Sequence, residues 1–156
     1  MIIRAWRIVQ MRFADRAFEG EGARLFGGRW NRRGTPIIYT AESLSLATLE
    51  ILVNLDSAAT LDRYLSIPVE FDDSLCKVLA LDALPDNWAS DPVPPNVQEM
   101  GSSWAAARES AVLVVPSAVV PQEHNFLLNP QHPDFAQIRI GSSTSFDFDP
   151  RLIRGL

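Results

Sequence analysis

The stretch PIIYTAESLSLATLEILVNLD, residues 36–56, predicts a short strand that runs almost directly into a helix. Residues 36–40 form the apolar strand, and the helix is predicted over 43–56. Ser43 is the expected N-cap, because its side-chain oxygen can accept a hydrogen bond from a free backbone N–H of the first turn. At 100° per residue, small or polar side chains recur along one narrow stripe, at Ser43, Ala47, Glu50 and Asn54.

Apolar side chains border this stripe on both sides. One shoulder holds Leu44, Ile51 and Leu55, and the other holds Leu46, Leu49 and Val53. The outer side of the helix carries Ser45, Leu52 and Asp56. A carboxylate between two apolar shoulders is unfavourable unless a partner stabilises its charge. Glu50 is therefore interpreted either as a functional carboxylate that lines a cleft or as half of a buried salt bridge to an arginine.

A glycine-rich and arginine-rich segment, residues 19–34, precedes the strand and predicts a loop. It holds five of the eight glycines and, within ten residues, four arginines: Arg24, Arg29, Arg32 and Arg33. In its GGRWN motif, residues 27–31, backbone amides near Gly28 can approach a phosphate, and the Arg29 guanidinium can bind it with two parallel hydrogen bonds. The alternative is a solvated, charged loop.

Two aromatic residues extend this predicted anion site. Trp30 either stacks on a base or ring of a ligand, or anchors the core beside a turn. Tyr39 ends the strand just before the helix, where it either contacts a planar ligand or packs in the core with its hydroxyl bonded. The predicted nucleotide-binding set is therefore Gly28, Arg29, Trp30, Asn31 and Tyr39. Neither a Walker loop nor a dinucleotide fingerprint is present.

The remaining sequence predicts an α+β fold in one domain, residues 1–156. Strands are predicted over 2–9, 65–71, 76–81, 111–115, 126–128 and 137–148. A helix is predicted over 97–109, after a proline-rich crossing loop at 85–96. Strands and helices are mixed without a regular βαβ rhythm, which favours a mixed β-sheet core with a few helices over a doubly wound sheet.

Composition excludes several classes of function. The net charge of −5 argues against direct nucleic-acid binding. A single cysteine, no export signal and no apolar run near 18 residues predict a cytoplasmic protein with no membrane segment. Cys76, His124 and His132 do not form a convincing metal set. Ser117 follows a strand without a GxSxG motif, so it is not expected to be a hydrolase nucleophile, and Asn125, Asn129 and His132 are interpreted as turn residues.

Three blocks of the chain resemble the RES domain, the toxin half of a class of bacterial toxin–antitoxin pairs. They are GEGARLFGGRWNRRGTPIIYTAESLSLATLEIL at 20–52, VVPSAVVPQEHNFLLNP at 114–130 and FDFDPRLIRGL at 146–156. The first block is the most specific, because GGRWN, a YTA strand end and a helix with LE follow one another at tight spacing. Residues 57–110 carry little of the resemblance.

The resemblance implies a fold similar to ADP-ribosyltransferase toxins and cleavage of NAD⁺ at its nicotinamide–ribose bond, which would arrest growth. NAD⁺ is then the substrate, with no separate cofactor and no metal. Arg29, Tyr39 and Glu50 match the family's arginine, tyrosine and glutamate, and Ser117 is assigned as its serine, with Ser110 as the alternative. The implied partner is an Xre-like helix-turn-helix antitoxin that binds DNA and blocks the cleft.

Several questions stay open at this stage. The enzyme could be a glycohydrolase, a phosphorylase or an ADP-ribosyltransferase that modifies a specific protein, since the acceptor could be water, inorganic phosphate or a side chain. A non-catalytic nucleotide-binding module is the alternative from another class. The resemblance also allows a homodimer within a larger toxin–antitoxin complex, and it leaves the role of the tail, residues 141–156, undefined.

Overall fold

A computed structural model of the chain describes residues 1–55 and 62–154. The described part is α+β, as expected, with three α-helices against one mixed sheet. The strands are β1 Ile2–Gln10, β2 Ile38–Ala41, β3 Tyr64–Asp72, β4 Cys76–Val78, β5 Val112–Pro116, β6 His124–Leu128, β7 Arg139–Ile140 and β8 Thr144–Phe146. The helices are α1 Glu21–Phe26, α2 Leu44–Leu52 and α3 Pro95–Ala106. None of these helices has the length and apolar composition needed to span a bilayer.

Within the described residues the sheet has eight strands in the order β4-β5-β6-β2-β1-β3-β7, and β8 also pairs with β3. All pairings are antiparallel except the parallel pair β4–β5. β1 pairs with β3 along its whole length, from Ile2 opposite Asp72 to Gln10 opposite Tyr64. By contrast, β1 and β2 pair only where Trp6 lies opposite Ala41. The two central strands therefore separate beyond this point, and the sheet opens there.

Successive side chains of a strand point to opposite faces of a sheet, and in the central strand β5 both sets are buried. In β5, Val112 and Val114 pack into one core with Phe71, while Leu113 and Val115 pack into another beneath α3. A third core lies under α2, between Ile8, Ala41, Leu46, Ala47 and Tyr64. The sequence AVLVV at 111–115 predicted a buried strand for this reason, since a strand covered on both faces is apolar at every position.

Several predicted boundaries were wrong. The segment predicted as a loop contains α1, whose short helix is supported by an ion pair between Glu21 and Arg24. Helix α2 ends at Leu52 rather than continuing to 56, and Asp56 lies outside the described residues. The single strand predicted over 137–148 is two short strands, β7 and β8, with residues 141–143 between them. Gly155 and Leu156, at the end of the predicted tail, also lie outside the described residues.

Candidate active site

A cleft of about 940 Å³ opens beside α2, where β1 and β2 separate. This volume lies within the range of pockets that hold small molecules and cofactors, roughly 300–1,000 Å³. Its walls come from α2, β2, the GGRWN loop and the turn after β5. The cleft brings together five of the residues predicted from sequence, which are Gly28, Arg29, Trp30, Tyr39 and Glu50.

Helix α2 presents the predicted stripe to the cleft. Ala47, Glu50 and Asn54 all line it, and Ser43 caps the helix by accepting a hydrogen bond from the Leu46 backbone N–H at 3.0 Å. The apolar shoulders differ from the prediction: Leu46 is buried, whereas Val53 is 60% exposed. The Glu50 side chain is half-buried at the cleft.

Ser117 orients the Glu50 carboxylate. Its hydroxyl donates to Glu50 Oε1 at 2.7 Å and accepts from the backbone N–H groups of Val119 and Val120, each at 3.1 Å. Because Ser117 is fully buried, these three bonds fix the direction of its hydroxyl. The other serine considered from sequence, Ser110, lies elsewhere: it accepts from the Trp104 indole and donates to the Val112 carbonyl. The geometry therefore selects Ser117 over Ser110 as the partner of the glutamate.

Tyr39 holds the opposite wall through its hydroxyl. The phenol donates to Asn31 Oδ1 at 2.6 Å and accepts from the Trp30 backbone N–H at 3.1 Å. Burial raises the pKa of the phenol well above its ordinary value, so the proton needed for the bond to Asn31 stays in place. Tyr39 lines the cleft with its ring while its hydroxyl fixes the loop.

The side chains of Asn31 and Trp30 are both buried within this wall. The Asn31 side chain is fully buried, and its Nδ2 lies within hydrogen-bonding distance of the carbonyls of Ala23, Arg32 and Thr35. Trp30 is 2% exposed, and its indole stacks on Trp88 inside the core beneath α3. Of the two interpretations of Trp30, the structure supports the core anchor, because the ring is buried in this core; the residue also contributes to the lining of the cleft.

Two glycines allow this wall to pack so closely. A Cβ on Gly28 would lie 2.6 Å from the Tyr39 hydroxyl, and a Cβ on Gly101 in α3 would lie 1.8 Å from the Trp30 carbonyl oxygen. Helix α3 also binds the loop directly, since Gln98 Nε2 donates to the Gly28 carbonyl at 2.9 Å. The backbone of the GGRWN loop is thus fixed from two directions, by β2 and by α3.

Arg29 reaches across to the segment after Pro85. Its Nη1 donates to the carbonyls of Trp88 at 3.0 Å and Ser90 at 2.9 Å. These bonds orient the guanidinium, and among the described residues no acceptor binds its Nε and Nη2. Arg32 and Arg33 do not line the cleft, and both are exposed. Arg32 forms a surface ion pair with Glu99, so the solvated-loop interpretation holds for part of the arginine cluster.

Arg7 is a cleft residue that the sequence reasoning missed. It lies on β1 where the strands separate; its Nη1 donates to the Tyr39 carbonyl at 2.9 Å and its Nε to the Ala17 carbonyl at 2.7 Å. Burial lowers the pKa of Arg7 to about 10, still high enough to keep the guanidinium charged at neutral pH. No carboxylate pairs with it among the described residues. One signal in the sequence could have identified it: Arg7 lies on the same face of the strand as the apolar Ile3 and Ala5, where a charged side chain is unusual.

The polar residues of the C-terminal half are mostly turn residues, as interpreted from sequence. Asn129 is buried; its Nδ2 donates to the Ala105 carbonyl and its Oδ1 accepts from the Gln131 backbone N–H. His132 Nδ1 accepts from the Asp134 backbone N–H. Asn125 is different, because it lines the cleft beside β2 and lies within hydrogen-bonding distance of the Thr40 carbonyl.

The cleft thus combines one oriented carboxylate with two guanidiniums held by backbone carbonyls. Such an arrangement can bind an anion through the guanidiniums and stabilise a developing positive charge beside the carboxylate. A second carboxylate, Asp91, also lines the cleft and follows the Ser90 carbonyl that holds Arg29. With Arg7 and Arg29, the lining therefore carries two positive and two negative side chains.

Comparison with known proteins gives a consistent result. A family model described as the RES domain matches residues 4–149. A Toxin Res of Yersinia enterocolitica is 42% identical over 94% of this chain and 97% of that protein. A Prs ADP-ribosylating toxin of a Sphingobium strain is 40% identical over 86% of each chain.

The fold is also that of a solved structure. A chain in the crystal structure of the M. tuberculosis MbcT–MbcA toxin–antitoxin complex superposes with a TM-score of 0.79 over 94% of this chain and 85% of that chain. At 20% sequence identity, this likeness establishes the fold alone. The family model and the two relatives establish more, because they match nearly the whole sequence. This chain belongs to the RES domain family.

Proposed function

We propose that this chain is the toxin of a bacterial toxin–antitoxin pair and that it cleaves NAD⁺ between nicotinamide and ribose. One observation carries the proposal: Glu50, oriented by a buried serine, shares a cleft with two guanidiniums. Cleavage of NAD⁺ requires both kinds of group. Its pyrophosphate is anionic and binds guanidiniums, and its scissile ribose gains positive charge that a carboxylate stabilises. The names of the relatives support the toxin role.

The proposed mechanism uses the two ends of the cleft differently. Arg29 and Arg7 bind the pyrophosphate and so position the rest of the substrate. As the bond to nicotinamide lengthens, its electron pair moves to the ring nitrogen, and the ribose becomes an oxocarbenium-like cation. Glu50 stabilises this cation more than it stabilises the ground state, which lowers the barrier. Ser117 is a positioning residue, because it acts through Glu50.

Transfer of ADP-ribose to a protein is the second candidate. It is favoured by one observation, the name of the Sphingobium relative as a Prs ADP-ribosylating toxin at 40% identity. Both reactions use the same cleft and break the same bond of NAD⁺. They differ only in the group that takes up the ribose, so mass spectrometry of cell proteins after expression distinguishes them.

We further propose an antitoxin protein that covers the cleft, in keeping with the toxin–antitoxin complex that shares this fold. The mouth of the cleft offers apolar side chains for such a partner. Phe26 is 76% exposed and Val53 is 60% exposed, and both line the opening. An Xre-like helix-turn-helix domain remains the expected class of partner from the family resemblance.

The test is to incubate the purified chain with NAD⁺ and follow nicotinamide release by chromatography. We expect Glu50→Gln to fold normally and to lose about 10²–10³-fold in rate, the typical effect of removing one electrostatic stabiliser. Glu70→Gln is the matched control, because Glu70 lies outside the cleft lining and pairs with Arg139. Full activity in Glu50→Gln, or equal losses in both variants, would contradict the assignment.

A further inference from the structure

Asp91 lines the cleft but takes no part in the mechanism proposed above. It directly follows Ser90, whose carbonyl accepts from Arg29 Nη1 at 2.9 Å. Asp91 is therefore the immediate neighbour of a group that orients the Arg29 guanidinium. Within residues 1–55 and 62–154 its carboxylate has no ion pair and no hydrogen-bond partner, so both oxygens are available to a ligand.

The backbone around Asp91 is held on both sides, although its side chain is exposed. Before it, the Trp88 ring stacks on Trp30 with the ring centroids 6.3 Å apart, and the Trp88 carbonyl accepts from Arg29 at 3.0 Å. After it, Pro94 is buried at the start of α3. A side chain on a backbone that is already ordered binds a ligand with a smaller loss of conformational entropy.

The two carboxylates of the cleft match the two riboses of NAD⁺. One ribose lies on each side of the pyrophosphate, and each carries a pair of hydroxyls. Among the described residues the carboxylates that line the cleft are Glu50 on α2 and Asp91 beside Arg29. The proposed cleavage places Glu50 at the nicotinamide ribose. With the pyrophosphate on Arg29, Asp91 is left for the ribose of the adenosine, and an ionised carboxylate accepts hydrogen bonds from hydroxyls.

Resting on the proposed cleavage of NAD⁺, we infer that Asp91 accepts hydrogen bonds from the adenosine ribose and thereby selects NAD⁺ over NADP⁺. NADP⁺ carries a phosphate in place of the 2′-hydroxyl of this ribose. The phosphate removes a hydrogen-bond donor and brings a charge of about −1.5 to −2 at pH 7 beside the carboxylate. Dinucleotide-binding proteins of another fold use the same chemistry, in which an acidic residue binds the 2′-hydroxyl and an arginine accommodates the 2′-phosphate.

The cleft offers no further cation to compensate for a 2′-phosphate. Among the described residues its lining contains two guanidiniums, those of Arg7 and Arg29, and the proposed mechanism engages both with the pyrophosphate. The single lysine of the chain, Lys77, pairs with Glu109 outside the cleft. Residues 56–61 and 155–156 contain neither lysine nor arginine in the sequence. The 2′-phosphate would therefore meet Asp91 without a partner of opposite charge.

The experiment measures kcat/KM of the purified chain for NAD⁺ and for NADP⁺ by nicotinamide release. We expect the unmodified chain to prefer NAD⁺ by at least about tenfold, the usual effect of a hydrogen bond to a charged group. Asp91→Arg should lower this preference at least about tenfold, mainly through a lower KM for NADP⁺, because the new guanidinium can bind the 2′-phosphate. A partly unfolded sample would lower both rates equally, so the ratio reports recognition.

Asp86→Arg is the matched control. Asp86 is also exposed and belongs to the same crossing segment, but it lies outside the cleft lining. It makes the same change of net charge, and solvent screens that change from the cleft, so the preference should stay within about twofold of the unmodified chain. An equal shift in Asp86→Arg and Asp91→Arg would overturn the inference, because the preference would then follow net charge.

The outcomes separate this inference from the function on which it rests. Equal kcat/KM for NAD⁺ and NADP⁺ in the unmodified chain overturns the selection by Asp91 and leaves the proposed cleavage intact. Release of nicotinamide from neither substrate refutes the proposed function itself.

Calorimetry with ADP-ribose and ADP-ribose 2′-phosphate tests the recognition without any cleavage. We expect the unmodified chain to bind ADP-ribose at least about tenfold more tightly than its 2′-phosphate, for the same hydrogen bond. Asp91→Arg should remove this difference, and Asp86→Arg should keep it. Equal affinities for the two ligands in the unmodified chain would contradict the role of Asp91.

Discussion

The two walls of the cleft are held in different ways. The arginine wall, the GGRWN loop at residues 27–31, is fixed through its backbone: Tyr39, Gln98 and Asn31 hold it by hydrogen bonds, and Gly101 brings α3 against it. The glutamate wall, α2, is a nine-residue helix, and its carboxylate is oriented by Ser117. The first wall is therefore fixed at the level of the main chain, whereas the orientation of the carboxylate in the second depends on a single side-chain contact.

This difference matches the two tasks that we propose for the walls. Binding a pyrophosphate requires donors that stay in place, since the gain from each hydrogen bond falls when the donor must first be ordered. A nine-residue helix is marginal by itself, so α2 depends on Leu46 and Ala47 in the core beneath it. We therefore expect damage to the backbone packing of the arginine wall to unfold the site, and damage to the glutamate wall to slow the reaction in a folded protein.

The largest effect on stability is expected from Gly101→Ala. The new Cβ would lie 1.8 Å from the Trp30 carbonyl oxygen, so either α3 or the loop must move. Overpacking of this kind typically destabilises by about 1–3 kcal/mol, and a clash with backbone belongs at the upper end. For a domain of this size we expect a fall in Tm of roughly 6–12 °C, measured by calorimetry, with loss of NAD⁺ binding at the temperatures where the loop is displaced.

Gly22→Ala provides the control for this substitution. Gly22 lies within α1, and an added Cβ there would have nothing within 4 Å. Alanine is favoured over glycine in a helix by up to about 1 kcal/mol, so the control should be neutral or slightly stabilising. Equal Tm values for Gly101→Ala and Gly22→Ala would show that α3 and the loop can move apart to accommodate the added Cβ without loss of stability.

The next effect in size is expected from Arg29→Gln. This change removes a charged donor to a bound phosphate and the bonds to the Trp88 and Ser90 carbonyls. Hydrogen bonds from charged groups contribute about 1.5–3 kcal/mol, so kcat/KM for NAD⁺ should fall by roughly 10–100-fold. Most of the loss should appear in KM, because the pyrophosphate is bound equally in the ground state and the transition state.

Arg32→Gln serves as the matched arginine outside the cleft. Arg32 is exposed and pairs with Glu99, and surface pairs of this kind contribute about 0–1 kcal/mol. Steady-state kinetics on both variants compares them directly. A similar rise in KM for both would mean that the arginine cluster acts through its general field rather than through Arg29.

The sequence predicted the glutamate wall better than the arginine wall, for a physical reason. Helical periodicity is a local property, so the stripe of Ala47, Glu50 and Asn54 follows from residue spacing alone. The loop is defined by contacts distant in sequence, such as Gln98 with the Gly28 carbonyl. Composition therefore identified the glycines and Arg29 but could not show that the Asn31 side chain is bonded within the loop itself.

Trp30 and Arg7 illustrate the same limit of prediction from local sequence patterns. Trp30 was interpreted from sequence either as a stacking residue for a ligand or as a core anchor, and the core formed with α3 and Trp88 buries it. Arg7 falls within the strand predicted over 2–9, and its guanidinium lines the cleft because β1 separates from β2 there. Neither outcome follows from a local pattern, because each depends on how two non-adjacent elements meet.

The smallest effect is expected from Ser117→Ala, and Ser110→Ala is its matched control. The first change removes the donor to Glu50 and leaves the Val119 and Val120 N–H groups without their acceptor. The second removes the acceptor of the Trp104 indole and the donor to the Val112 carbonyl, and none of these residues lines the cleft. Both should lose about 1–2 kcal/mol of stability, the usual result when a buried polar group loses its partner.

Activity should separate the two serines. Without Ser117, Glu50 samples orientations that do not face the ribose, and we expect kcat to fall about tenfold, equivalent to roughly 1.4 kcal/mol. KM for NAD⁺ should change little, because the arginine wall is untouched. Ser110→Ala should keep its kcat below the temperature at which it unfolds. If both variants lose kcat in proportion to their Tm, Ser117 only supports the fold, and Glu50 is oriented by the packing of α2 instead.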